Sequence, residues 1–332
     1  MGMRWFLVAT ALSVILAFPW SAETTVTLRF AHNNNPGHPI HEAAVRFAEV
    51  VNARSNGEVQ VTVFPSSQLG RMNETWTGVK VGAIAIGGGT PLGTLADVVP
   101  ELSLFDAPYM FRDLEHFRRV SSGPIGQGLG RKLVEKGGVR ILYFQYFGVR
   151  HLTTTNTPVR TPEDMKGLKI RAVPTPILMA TLEGLGARPT PMDFAEVYQS
   201  LRSGIVDGQD NPVASIYTAK FYEVQKYLVL TRHIHAVAAA VINEKVYQAL
   251  SPVGRAAVEQ GAIEAPAHGN ALALRQESEM LAELRKAGMT VIGPEQGLDI
   301  EAFRARVREY VYPKFAAQWT KSLMEEVETA AK

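Results

Sequence analysis

Along the first quarter of the chain, apolar and polar positions alternate between two periods. Val26, Leu28 and Phe30 alternate with Thr27 and Arg29, the period-two pattern of a half-buried strand, and Asn33-Asn34-Asn35-Pro36-Gly37 breaks it. Ile40, Ala43, Ala44, Phe47, Val50 and Val51 then recur at helical spacing until Ser55-Asn56-Gly57, and Val59, Val61 and Val63 alternate again before Pro65. A short helix through Trp76 and Val79 is predicted to end near Gly82, followed by a buried strand from Ala83 to Ile86 that runs into Gly87-Gly88-Gly89. Strand, helix and strand in this order predict an α/β unit with a largely parallel sheet.

A second unit of the same kind is predicted from about Gly148. Lys169 to Val173 reads as a strand, and Pro174 and Pro176 flank the start of a helix through Leu182 that Gly184 and Gly186 end. Asp193 with Glu196 three residues later is capping-box-like and starts a helix from Phe194 to Leu201. Ile205 to Asp207 is predicted as a short strand, and Asn211-Pro212 as the start of a further helix. Residues 253–287 read as one long helical stretch crossing between the units. Two α/β units in one chain predict two lobes with a cleft between them.

The chain has 332 residues, room for about two domains, with 46% hydrophobic and 20% charged residues, which excludes global disorder. Thirty-four Lys and Arg against 32 Asp and Glu leave a formal charge of +2 without blocks of either sign, so a nucleic-acid partner is not expected. The absence of cysteine excludes disulfides, thiolate metal sites and a cysteine nucleophile. At the amino end, Arg4 precedes an uncharged apolar run from Trp5 to Phe18 and the polar exit Pro19-Trp20-Ser21-Ala22-Glu23, the pattern of an export signal covering residues 1–22. The run is shorter than the roughly 20 residues of a membrane-spanning helix. The expected location is the periplasm, where a cysteine-free chain is at no disadvantage.

The segments richest in information are Pro65-Ser66-Ser67-Gln68-Leu69-Gly70, Met165-Lys166-Gly167-Leu168-Lys169-Ile170-Arg171, Gly186-Ala187-Arg188-Pro189-Thr190-Pro191-Met192, Glu196-Val197-Tyr198, Val206-Asp207-Gly208-Gln209-Asp210-Asn211-Pro212 and Phe221-Tyr222-Glu223-Val224-Gln225-Lys226-Tyr227. In this order, over roughly residues 25 to 325, they resemble the solute-binding subunits of the tripartite ATP-independent periplasmic (TRAP) transporters, the DctP-like family. The resemblance implies a two-lobed periplasmic binding protein whose lobes close on a small organic anion and deliver it to one small and one large membrane subunit. It implies a receptor, not an enzyme, with no cofactor.

The resemblance also assigns residues. Arg171, at the end of the Gly-Leu-Lys-Ile-Arg strand, corresponds to the arginine that makes a two-point salt bridge with the ligand carboxylate; a guanidinium fork matches a carboxylate and stays charged. Arg150, after the aromatic run Tyr143-Phe144-Gln145-Tyr146-Phe147, corresponds to a second anion contact. Asn211 matches an asparagine able to hydrogen-bond the ligand, Asp210 stands where glutamate is commoner, and Phe194 matches an aromatic near the ligand. The first strand-to-helix loop brings His32 and Asn33 to the cleft, with His38 and His41 read as surface or capping residues. Of His233 and His235, alternation favours His235 for the pocket. No metal site is expected from His32, His38 and His41, which lack an acidic or cysteine companion. Gly126-Gln127-Gly128-Leu129-Gly130 lacks the full fingerprint of a phosphate loop, and Gly87-Gly88-Gly89-Thr90 reads as a strand end or a tight turn.

The expected division is lobe I from 23–147 plus about 237–275 and lobe II from 148–236 plus about 276–332, in a monomer. Two rival readings are an exported α/β enzyme acting on an organic acid, against which stands the lack of a nucleophile elbow, paired catalytic carboxylates or metal signature, and a same-fold receptor serving a sensor or another transporter class.

Overall fold

The computed structural model describes residues 25–330, so the export segment read in residues 1–22 lies outside them. The chain opens with strand β1 (Val26–Ala31), helix α1 (Pro39–Arg54), strand β2 (Val59–Phe64), helix α2 (Met72–Val81) and strand β3 (Ile86–Pro91). The triple glycine is therefore the body of β3, not a turn beyond it, and the strand begins where the sequence reading ends it. Glycine is needed because β3 presses against its neighbours: a Cβ on Gly88 would stand 2.3 Å from Cε2 of Phe30, and one on Gly89, at φ +65°, would stand 2.8 Å from Asn34 Oδ1. Phe30 is 1% exposed and packs edge-on against Phe47, so it cannot yield. Gly88→Ala is expected to destabilise the fold by about 1–3 kcal/mol through overpacking, read as a lower denaturant midpoint.

Helices α3 (Leu114–Ser122) and α4 (Pro124–Gly137) follow, then strand β4 (Val139–Thr154). The glycine-rich stretch 126–130 is part of α4, and a Cβ on Gly126 would meet Ser121 O at 1.9 Å, so these glycines serve the α3–α4 corner. The second half contains β5 (Lys169–Ala172), α5 (Pro176–Gly184), β6 (Arg188–Pro191), α6 (Val197–Arg202), β7 (Gly208–Pro212), α7 (Val213–Thr218), β8 (Tyr227–Asn243), α8 (Glu244–Ala249), α9 (Pro252–Lys286), β9 (Thr290–Ile292), α10 (Ile300–Phe315) and α11 (Lys321–Thr329). The strand predicted at 205–207 is displaced to 208–212, because Ile205 is exposed in the turn while all five residues of β7 are buried. Asn211 consequently lies in a strand, and Pro212 caps α7.

The nine strands of the described residues join in one sheet, in the order β2-β1-β3-β8-β4-β7-β5-β6 with β9 on β8. β1, β2 and β3 are parallel, as are β5, β6 and β7. The sheet as a whole is mixed and not largely parallel, because β4 and β8, of 16 and 17 residues, run antiparallel to each other through both halves. Ala238 to Ile242 of β8 pair with β3, Tyr227 to Val229 with β9, and Arg150 to Thr154 of β4 with β7. One half of this shared ribbon thus pairs with β3 and the other with β7 and β9. Its register shifts between Tyr146 and Gly148 and again between Arg150 and Leu152. The long helix expected at 253–287 is α9, which lies along α1, β4 and α7. Gly261 brings it close to Phe47 and Val51, and its Asn270 Oδ1 accepts the Tyr146 N–H at 2.7 Å. α10 packs on α5, whereas α11 returns to α3, where Val327 O is 2.8 Å from His116 Nε2.

Candidate ligand-binding site

The ends of β3, β5 and β7, the β1–α1 loop, the first turn of α2 and the middle of β4 converge on one cavity. Its walls include Asn33, Met72, Gly89, Phe147, Arg150, Arg171, Asp193, Phe194 and Asn211. Five of the eight residues singled out from sequence, Arg171, Arg150, Asn211, Phe194 and Asn33, therefore stand together.

Arg171 projects from β5 and is 2% exposed. Its Nε and Nη2 donate to the Met192 carbonyl at 3.2 and 3.0 Å, and Phe194 lies 5.9 Å from its guanidinium carbon. Nη1 is buried and has no hydrogen-bond partner among the described residues. Burial draws the Arg171 pKa down to about 10, and the nearby Arg150 charge acts in the same direction. A buried guanidinium with one arm unpaired is costly unless an anion completes it.

Arg150 is handled differently. Its Nε donates to Asp210 Oδ2 at 2.6 Å and its Nη2 to the Asp210 carbonyl at 2.6 Å, both groups being buried. Burial alone would raise the Asp210 carboxyl, but the Arg150 charge and the hydrogen bonds of His233 and Arg150 outweigh it and hold the group well below the usual carboxylate range. Asn211 donates to Gln209 Oε1 at 2.6 Å, and Gln209 and Gln225 continue the chain through the Thr153 hydroxyl. Every member is buried, so the network fixes the amide of Asn211.

Three of the predicted residues are absent from the cavity wall. Asp210 stands behind Arg150. His32 is 3% exposed, with Nε2 3.2 Å from His41 Nδ1, and burial followed by the His41 charge lowers its pKa to about 3. His235 is half-buried opposite Val149, and the charges that act on it are Arg232 and Asp113. His233, passed over in the sequence reading, is fully buried with Nε2 3.0 Å from Asp210 Oδ2 and Nδ1 2.8 Å from the Thr231 hydroxyl. Neither His233 nor His235 lines the cavity; Arg232 adopts φ +49° at a break in the β4–β8 register, which interrupts the alternation on which the choice of His235 rests. His38 caps α1 through Nδ1, as expected, but is buried and not at the surface: its Nε2 is 3.0 Å from Ser215 Oγ in α7. No cluster of three or more His, Asp or Glu suited to a metal ion is found among the described residues.

Met72, Phe147 and Asp193 of the wall were not singled out as site residues. The sequence signal for Asp193 was its capping box, which the structure contains. Its Oδ1 caps Ala195 N–H at 3.3 Å, while Oδ2 reaches across the cleft to accept Met72 N–H at 3.1 Å. Arg71 Nη2 and Glu196 Oε1 pair beside it at 2.5 Å. Asp106, behind the Gly93 backbone, accepts that N–H at 2.6 Å, and burial raises its carboxyl to about 6 despite this bond and Arg150. A raised folded-state value means that this group's share of the stability is present below the unfolded value of 3.8 and lost as pH rises through about 6. Asp106→Asn is therefore expected to stabilise the protein by up to about 3 kcal/mol at pH 7.5, the gain vanishing towards pH 4, in parallel denaturant titrations.

The family model of bacterial extracellular solute-binding proteins, family 7 (DctP), matches residues 30–318. The chain is 33% identical over 303 residues to the 2,3-diketo-L-gulonate-binding periplasmic protein YiaO of Escherichia coli, covering 91% of each chain. It is 34% identical over 287 residues to the C4-dicarboxylate-binding periplasmic protein DctP of Rhodobacter capsulatus, covering 85% of this chain and 84% of that one. Among solved structures, a TRAP periplasmic solute-binding protein of Actinobacillus succinogenes with bound L-galactonate superposes with a TM-score of 0.87 at 32% identity, covering 92% of this chain and 99% of that one.

Proposed function

Because this chain belongs to the DctP family of extracellular solute-binding proteins, the receptors of TRAP transporters, we propose that it binds a small organic carboxylate in the periplasm and delivers it to a small and a large membrane subunit. The observation that carries this reading is the buried, unpaired Nη1 of Arg171 in the cavity wall. A carboxylate supplies the missing acceptor and the missing negative charge together, which no neutral sugar does. Arg150, already paired with Asp210, offers a weaker second contact, and the Asn211 amide, fixed through Gln209, orients the ligand.

The protein acts as a monomeric receptor without catalysis, and nucleic acid is not a partner. Its lobes are 23–147 with about 237–275, and 148–236 with the remainder, α11 returning to dock on lobe I. A ligand that touches both lobes binds the closed form better than the open one and shifts the population towards it. The Met72–Asp193 and Arg71–Glu196 contacts, made across the cleft, assist that shift.

The test is thermal unfolding of residues 23–332 against a panel of organic acids, with neutral sugars and amino acids as controls. At 100 times its dissociation constant, a true ligand adds about 2.7 kcal/mol and raises the midpoint. Stabilisation by the neutral controls but by no acid would overturn the reading.

A further inference from the structure

The cavity between the two arginines is small, about 30 Å3, room for roughly two waters and so for the oxygens of one carboxylate. A second cavity of about 390 Å3 adjoins it, and Pro174 belongs to both walls. Met72 stands between them: it lines the small cavity, and its sulfur is 3.8 Å from the hydroxyl of Thr94, which lines the large one. A methionine side chain can move aside at little cost. The large cavity also bridges the lobes, with Trp76 and Thr94 on one side and Thr175 and Ile177 on the other. Trp76 is held by its indole N–H, which donates to Asp97 at 3.0 Å, so its ring is a fixed apolar wall. Thr175 occupies the N-cap of α5, yet its hydroxyl makes no capping bond and is buried without a partner among the described residues.

We infer that the two cavities form one elongated site gated by Met72, which takes a carboxylate with an apolar or aromatic tail, the carboxylate on Arg171 and the tail between Trp76 and Ile177. This inference rests on the carboxylate reading above and adds to it where the remainder of the ligand goes. An acid with no more than a short polar body leaves the larger chamber unused. A hydrogen-bonding group within the tail would satisfy the Thr175 hydroxyl.

The experiment is calorimetric titration of residues 23–332 with acetate, phenylacetate, 4-phenylbutyrate and gluconate, with 4-phenylbutyramide as the neutral control. 4-Phenylbutyrate is expected to bind at least tenfold more tightly than acetate, and the amide not at all. Met72→Ala should raise the preference for 4-phenylbutyrate over acetate severalfold. Thr77→Trp, a substitution at an exposed position of α2 on the rim of the chamber, should remove the preference for the tail. Equal affinity for acetate and 4-phenylbutyrate, or a tail preference untouched by Thr77→Trp, overturns the inference. Tight binding of gluconate with rejection of the phenyl acids overturns it too, while leaving the carboxylate reading in place. Binding that survives Arg171→Ala overturns both, and no binding by any acid of the set overturns the inference alone.

Discussion

Arg171→Met is expected to weaken ligand binding by more than a hundredfold and, at the same time, to raise the stability of the ligand-free protein. The loss of affinity follows from burying a carboxylate whose partner is gone, a cost of about 3–5 kcal/mol, and each 1.4 kcal/mol or so is tenfold. The gain in stability follows from the same guanidinium viewed without its ligand. Its pKa is drawn from 12.5 to about 10 by burial, equivalent to about 3 kcal/mol of disfavoured charge. Methionine of similar length removes that charge but also the two bonds to the Met192 carbonyl, so the net gain is placed at about 1–3 kcal/mol. Titration calorimetry and denaturant unfolding of the same preparation check both halves. A variant that binds normally, or one that is less stable than the parent, contradicts the assignment of Arg171 as a cation held in readiness for an anion.

Asp210→Ala carries the largest expected loss of stability. It leaves Arg150 buried beside Arg171 with neither positive charge balanced, a change that costs about 3–5 kcal/mol in comparable buried pairs. The double replacement Arg150→Met with Asp210→Leu should recover most of that loss, because two apolar groups need no partner. The sign with pH is opposite to that of Asp106. The folded-state value of Asp210 is depressed, so its contribution is present above about pH 4 and disappears as acid protonates the carboxylate. The gap between parent and variant should be full at pH 7 and narrow only below about pH 4, as read from urea midpoints. A gap that is small at pH 7 would mean that Asp210 does not neutralise Arg150.

The parts of this molecule that were legible in sequence are those governed by local rules. β1, α1 and β2 follow from period two and period 3.6, the 35-residue α9 from its length, and the start of the α6 region from the Asp193–Glu196 box. What escaped was decided by distant neighbours. The glycines of β3 look like a turn until Phe30 and Asn34 are seen to occupy the space of their missing side chains. The continuity of β4 through Gly148, and with it the antiparallel centre of the sheet, is invisible because the glycine that suggests a boundary lies inside the strand. Arg171 and Arg150 were reachable through motif resemblance, but their different electrical situations were not: one shares a buried carboxylate and the other has an open arm. The buried contact of His233 with Asp210 was hidden by a backbone feature, the left-handed Arg232 beside the break in the β8 register.

The register shifts in β4 and β8 have a mechanical consequence. A two-stranded ribbon bends most readily where an extra residue loosens its ladder, and of the three irregular places, at Ile141–Tyr143, Tyr146–Gly148 and Arg150–Leu152, the last two lie on either side of Arg150. Arg150 therefore lies between two loosened points of the ribbon, whereas Arg171 stands off the ribbon on β5 and Asn33 on the first loop. In the two-lobed reading, bending of the ribbon at these points is expected to displace Arg150 less than Arg171, so the weaker contact is the steadier one.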